Sequence, residues 1–245
     1  MLFRCLSADV QKLRRSMIWL AVLTLPLFSA LLGTFNYLGN LSMLTEQWYS
    51  LWTQLSLFYC ALFGPALTGV YCAYVCRLEH LNHNWNTVMT MPTRPACIFF
   101  SKLAIVSALS LLTQVLMGLY FVLAGKIIGL TAPLPLSDLL LWLLRGWCGL
   151  TVNASILLCV ALVIRSFAIP VGAGLLGGFV GLAMFLKGFG PYYPFSLTQL
   201  GMCANQPAEP MPCSPTLFAA SCVFYLLIGC AFGILWLSKR DVKTA

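Results

Sequence analysis

The sequence predicts an all-α integral membrane protein of six transmembrane helices, with both termini cytoplasmic and an amphipathic N-terminal helix in the inner interface. Three observations carry this. Of 245 residues, 60% are hydrophobic and only 8% are charged, against about 25% charged in an ordinary soluble domain. Six apolar runs are each long enough to cross roughly 30 Å of hydrocarbon at about 1.5 Å per residue. None alternates with period two, so a membrane barrel is excluded and the backbone hydrogen bonds must close within helices. Soluble-enzyme, fibrous and disordered classes fall away on composition. The chain reads as a single transmembrane domain over residues 1–245.

Taken in order, residues 1–16 (MLFRCLSADVQKLRRS) place Leu2, Leu6, Val10 and Leu13 on one helical face. Arg4, Gln11, Lys12 and Arg15 lie mostly opposite. This is either a helix lying in the interface, with Arg4, Lys12, Arg14 and Arg15 among the headgroups, or a charged flank that only sets topology. The spans follow at about 17–35, 51–75, 103–125, 139–164, 167–186 and 216–237. Pro26 in the first and Gly64-Pro65 in the second predict bends. No small-x-small cleavage site follows the first apolar run, so an uncleaved span is expected rather than a signal peptide.

Orientation follows from the basic residues. With the N-terminus inside, Arg4, Lys12, Arg14, Arg15, Arg77, Arg94, Lys102, Arg165, Lys239, Arg240 and Lys243 all fall inside. Only Lys126 and Lys187 fall outside, which is the positive-inside pattern. The formal charge of +8 therefore needs no nucleic acid to explain it.

The inner loop 77–102 has helical character up to Met91, and Met91-Pro92 and Arg94-Pro95 then stop it. Glu79, His80 and His83 share a helix face. They are too few for a metal site without a matching cluster, so no metal is expected, and the face is a solvated surface helix or a docking surface. Arg145 lies about six residues inside span four, where an ionisable side chain is by default a functional candidate. Alternatively it snorkels to the outer headgroups, and Asp138, seven residues earlier, shares its face. Gly172, Gly174, Gly177, Gly178 and Gly181 in span five favour close helix approach, within the chain or across a dimer seam.

The outer segment 187–215 opens with PYYPFSLTQL, too apolar for an exposed loop, which predicts a re-entrant or interfacial piece. Cys203 and Cys213 are the two cysteines placed outside, and so are the candidate disulfide pair. Most of the other cysteines sit in apolar runs as small hydrophobes. A phosphate loop, H-E-x-x-H and G-x-S-x-G are all missing, and the spans hold no carboxylate. A covalent enzyme and a proton-coupled carrier are thus disfavoured.

Six spans, both termini inside and an amphipathic N-terminal helix together resemble the permease subunit of a type-2 ABC exporter. More specifically, the stretch from Arg77 to Lys102 resembles the permeases of lantibiotic-immunity ABC transporters, the nisin, mutacin and epidermin self-protection systems. Those tend to show an acidic residue, a polar helix, a proline with a basic residue and a final lysine. Here these are Glu79, Asn84-Trp85, Met91-Pro92, Arg94 and Lys102. The PYYP segment is similar to the proline-and-aromatic patch after span five in these proteins. The architecture matches over the whole chain, whereas the residue motif is short. His80-Leu81-Asn82-His83 maps to no family signature.

The resemblance implies that Arg77, Glu79, His80, His83, Asn84 and Trp85 form the coupling surface for a separate ABC ATPase, in two copies. That partner would bind ATP and Mg, so this chain would carry no cofactor and would not itself be an enzyme. It also implies a second permease, identical or related. The implied substrate is a cationic amphipathic peptide, expelled from the bacterial cytoplasmic membrane past Arg145, Tyr192 and Tyr193. Export of another antimicrobial, a drug or a lipid is the alternative within transport. A membrane sensor acting through a partner is the alternative outside it.

Overall fold

A computed structural model describes residues 2–14, 16–80 and 93–239, and only the backbone of Leu78 and His80. Six helical runs among the described residues are long and apolar enough to cross a membrane. They follow an N-terminal helix α1 (Leu2–Leu13), and every described regular element is helical. The spans are α2 (Ile18–Gly39); α3 (Gln47–Phe58) running through a π-helical turn at Tyr59–Phe63 into α4 (Gly64–His80); α5 (Pro95–Ile128); α6 (Leu136–Val163); α7 (Ala168–Leu186); and, last, the helix from Pro215 to Lys239.

The six expected spans are present, most ends extended by a few residues and three drawn in by one. The largest shift is at α5, which begins at Pro95 instead of residue 103. Proline at the first helical position has no N–H to waste and a preset φ. The last eight residues of the expected cytoplasmic loop, 95–102, are therefore the first two turns of span three. At 34 residues, α5 is about 50 Å long, well over the hydrocarbon thickness.

The bend expected at Gly64-Pro65 takes a specific form. Gly64 N–H bonds the carbonyl of Tyr59, five residues back. Pro65 has no N–H to offer the carbonyls before it, so Cys60 C=O is left without a donor in its own helix. Gln199 Nε2 supplies one at 3.3 Å, and also donates to Gly178 C=O at 3.1 Å.

Gln199 sits on α8 (Leu197–Gly201), inside the apolar outer segment. Two 3₁₀ turns, Gly190–Tyr192 and Pro194–Ser196, lead into it. Residues 195–204 are all buried. Trp52 Nε1 donates to Met202 C=O at 2.9 Å, and Asn153 Nδ2 to Thr198 Oγ1 at 3.2 Å. The segment is thus a re-entrant piece that plugs the outer half of the bundle, where irregular backbone survives because protein surrounds it. The last span, α9 (Pro215–Lys239), follows it.

The glycines of α7 pack within the chain. A Cβ at Gly174 would strike Pro65 C=O, and one at Gly178 would strike Ala61 C=O. Gly177 and Gly181 lie against Phe195. Spans two and five therefore meet backbone to backbone, while Gly172 faces open space.

Two main apolar clusters fill the bundle. One, at the inner end, includes Tyr71, Phe99, Val106 and Leu158. The other, at the outer end, centres on Trp52 and Trp142, stacked 4.9 Å apart, with Phe121 against Trp52.

Overpacking a close helix contact costs about 1–3 kcal/mol. Gly178→Leu should therefore lower the thermal transition of the purified protein in detergent by several degrees. Gly172→Ala should leave it unchanged. Equal transitions for both would contradict the intramolecular seam.

Candidate functional site

The charged residues of the inner end converge on one point. Asp9 and Lys12 come from α1, Glu79 from the last turn of α4, and Ser101 and Lys102 from the second turn of α5. Lys12 Nζ lies 2.5 Å from Glu79 Oε1 and 3.5 Å from Asp9 Oδ1. Lys102 Nζ lies 3.0 Å from the same Glu79 oxygen and 3.6 Å from Asp9 Oδ1. Ser101 Oγ donates to Asp9 Oδ2 at 2.6 Å, and Lys102 also reaches Val75 C=O at 3.5 Å.

Burial makes this arrangement stringent. Lys102 is 1% exposed, Glu79 2% and Asp9 8%; only Lys12 reaches water appreciably. Two ammonium groups and two carboxylates balance, and none of the buried charges could stand there alone. Glu79 Oε2 makes no hydrogen bond among the described residues. Burial pushes the Glu79 carboxyl up, but the Lys102 charge and the hydrogen bond and charge of Lys12 outweigh it. The net pKa lies below the ordinary carboxylate value.

Around the cluster, α1 is held at both ends of its turn into α2. Trp19 Nε1 donates to Leu13 C=O at 3.0 Å, and Ser16 Oγ accepts from Ile18 N–H at 3.0 Å. The face of α1 against the protein carries Asp9 and Leu13, with Leu6 partly buried. Leu2 and Val10, expected on the same apolar face, are exposed. A count of apolar positions misses this because the contact is ionic.

The sequence-derived site residues fare unevenly. Glu79, expected on an open docking surface, turns inward, because Lys12 and Lys102 hold its carboxylate in a buried cluster. Arg77 is exposed, its guanidinium 5.9 Å from the ring centre of Phe167. The His80 side chain, His83, Asn84, Trp85 and Arg15 lie outside the described residues. Arg4 on α1 and Arg14 just after it are both exposed.

At the outer end, Arg145 is half-buried with Gly201 of the re-entrant piece against its backbone. It makes no ion pair with Asp138, which instead accepts from Tyr49 Oη at 2.7 Å. Tyr192 is 66% exposed, and its carbonyl accepts from Tyr225 Oη at 2.7 Å. Tyr193 is half-buried beside Phe195. No hydrogen bond or ring contact joins Arg145 to either tyrosine among the described residues.

Cys203 and Cys213 are free thiols, so the candidate bridge is not formed. Cys203 is buried in the cluster around Trp52, whereas Cys213 packs beside Leu197 and Phe218. Among the described residues no group of three or more His, Cys, Asp or Glu side chains could hold a metal.

Asp9, Ser101 and Lys102 were not among the sequence-derived site residues. The available signal was Lys102, an ionisable residue in the apolar run IFFSKLAIV, to which the reasoning applied to Arg145 extends unchanged.

The model of the family described as ABC-2 family transporter protein matches residues 5–181. That range begins within α1, takes in the ionic cluster and the first four spans, and ends within α7. The chain belongs to this family. It is a transporter membrane component, a multi-pass protein of the cytoplasmic membrane, and membership implies an ABC ATPase as its partner. Comparison with curated proteins and with solved structures gives no match.

Removing one member of a buried ion pair costs about 3–5 kcal/mol, so Glu79→Gln should lower the thermal transition markedly at pH 7. Because the folded pKa of Glu79 lies below its ordinary 4.5, its stabilisation is complete above about pH 4.5 and is lost as pH falls through the lowered value. The difference between wild type and Glu79→Gln should therefore close as the pH is taken progressively below the ordinary carboxylate range. A difference independent of pH would contradict the ionised assignment.

Proposed function

We propose that this chain is the permease of an ATP-driven exporter that expels a cationic antimicrobial peptide of the lantibiotic type from the membrane, protecting its host. The carrying observation is the ionic cluster. It ties α1, the end of span two and the start of span three into one body, and spans two and three flank the cytoplasmic stretch 81–92. A force applied to that stretch by an ATPase would reach three helices at once.

In this reading two ATPase copies, holding ATP and Mg, bind beneath a pair of permeases formed by this chain and a second copy or relative. The contact surface is Arg77 and His80 with His83, Asn84 and Trp85. Glu79 acts behind that surface as a positioning residue and does not touch the partner. Nucleotide binding shifts the bundle between two states through its different affinity for each. The chain performs no covalent chemistry and binds no cofactor.

The peptide substrate is supported by the likeness of Arg77–Lys102 and PYYP to the immunity permeases. The outer end is consistent with it. Tyr192 is exposed, and Arg145 lies beside the re-entrant piece, which would have to move for a path to open.

Lys12 is the cluster's least buried member, so Lys12→Met is the gentlest cut between α1 and α4. Couplings carried through such networks run to about 0.5–2 kcal/mol. The variant, co-expressed with its ATPase and challenged with the peptide, should lose about two- to thirtyfold in protection while the complex is still recovered intact. Full protection, or loss of assembly instead of transport, would overturn the coupling role.

A further inference from the structure

A cleft of about 600 Å³ opens between α1, the start of α2 and span three. Its far wall is Ile105, Ala108, Leu109 and Leu112, one stripe of α5 at spacings of three and four. From Ile105 to Leu112 that stripe rises about 10 Å, a third of the hydrocarbon depth. Val10 and Leu13 of α1 form the near wall, and Trp19 closes one side.

The cytoplasmic rim is polar, formed by Gln11 and Arg14. Arg14 has no ion pair among the described residues, in contrast to Lys12 and Lys102, which occupy both nearby carboxylates. A second cleft, between α6 and α9, has the same apolar character without a charge. Its walls include Val160, Ile164 and Phe232, and nothing in it selects a headgroup.

We propose that the α1–α5 cleft is a binding site for one anionic phospholipid of the inner leaflet, its phosphate on Arg14 and Gln11 and an acyl chain along Ile105–Leu112. The chemistry fits an amphiphile of that orientation. A guanidinium without an ion pair among the described residues sits at the polar rim, and the apolar wall runs away from it along α5, as an anionic headgroup and its acyl chain require. The exported cationic peptide is disfavoured there, because Arg14 would repel it. A phospholipid so placed wedges α1 against span three within one helix turn of the ionic cluster, so that membrane composition bears on the same junction.

The test is native mass spectrometry of the purified full chain in mild detergent, with phosphatidylglycerol and phosphatidylcholine of identical acyl chains added in turn. Wild type should retain one phosphatidylglycerol in preference to phosphatidylcholine. A single basic contact is worth about 1 kcal/mol, or about fivefold. Arg14→Gln should therefore weaken phosphatidylglycerol retention at least about fivefold and leave phosphatidylcholine unchanged, while Arg14→Lys should largely restore it. Ala108→Trp, at an exposed position in the wall, should reduce retention of both lipids. Equal retention of the two lipids by wild type, or no effect of either Arg14→Gln or Ala108→Trp, would overturn the proposal. Retention of a cationic amphipathic peptide in place of phosphatidylglycerol would assign the cleft to the substrate and overturn it as well.

Discussion

Two lysines and two carboxylates drawn out of water at the inner end of the bundle are stable there only as a group. Glu79 and Lys102, both nearly inaccessible, anchor that group, and Asp9 and Lys12 bring α1 to it. The desolvation of such charges can outweigh their mutual attraction, so the cluster is better understood as a geometric constraint than as a reserve of stability. It requires α1 to lie against α4 and α5 in one register. Everything at the inner end follows from that register, including the cytoplasmic end of span two and the cleft beside Arg14. The α1–α2 corner pinned by Trp19 follows too.

The outer end obeys a different constraint. A proline at position 65 deprives the helix of an N–H, the chain answers with a π-helical turn, and Gln199 arrives from 139 residues away to satisfy Cys60 C=O. The re-entrant piece that carries Gln199 also closes over the stacked Trp52 and Trp142 through the bond from Trp52 to Met202. The two halves are thus built unlike each other: ionic and helical inside, irregular and hydrogen-bonded to backbone outside.

Hydropathy made the spans legible, because a twenty-residue apolar run has few places to go but across the bilayer, whatever its neighbours. The re-entrant character of PYYPFSLTQL was legible for the same reason. Pairings between distant residues were not. Lys12 and Glu79 stand 67 positions apart and Ser101 and Asp9 stand 92 apart, and no local pattern links them. Apolar periodicity read the amphipathic character of α1, but it does not register that Asp9 is buried on the side packed against the bundle. Glu79 was recognised as important through its place in a family-like motif, but its inward direction depended on Lys102, which lay beyond the proline break. The glycines of span five announced a close approach, and only the positions of Ala61 and Pro65 assigned it to the chain's own span two.

The central claim is that the charges of α4 and α5 act as one unit holding the inner end together. A double-mutant cycle on Glu79→Leu and Lys102→Met, read by unfolding of the purified protein, tests it most directly. Residues in one buried network couple by about 0.5–3 kcal/mol. The account predicts that the double variant is more stable than the sum of the single losses requires, by an amount at the upper end of that range. Strict additivity, with each substitution costing the same whether or not its partner is present, would contradict it.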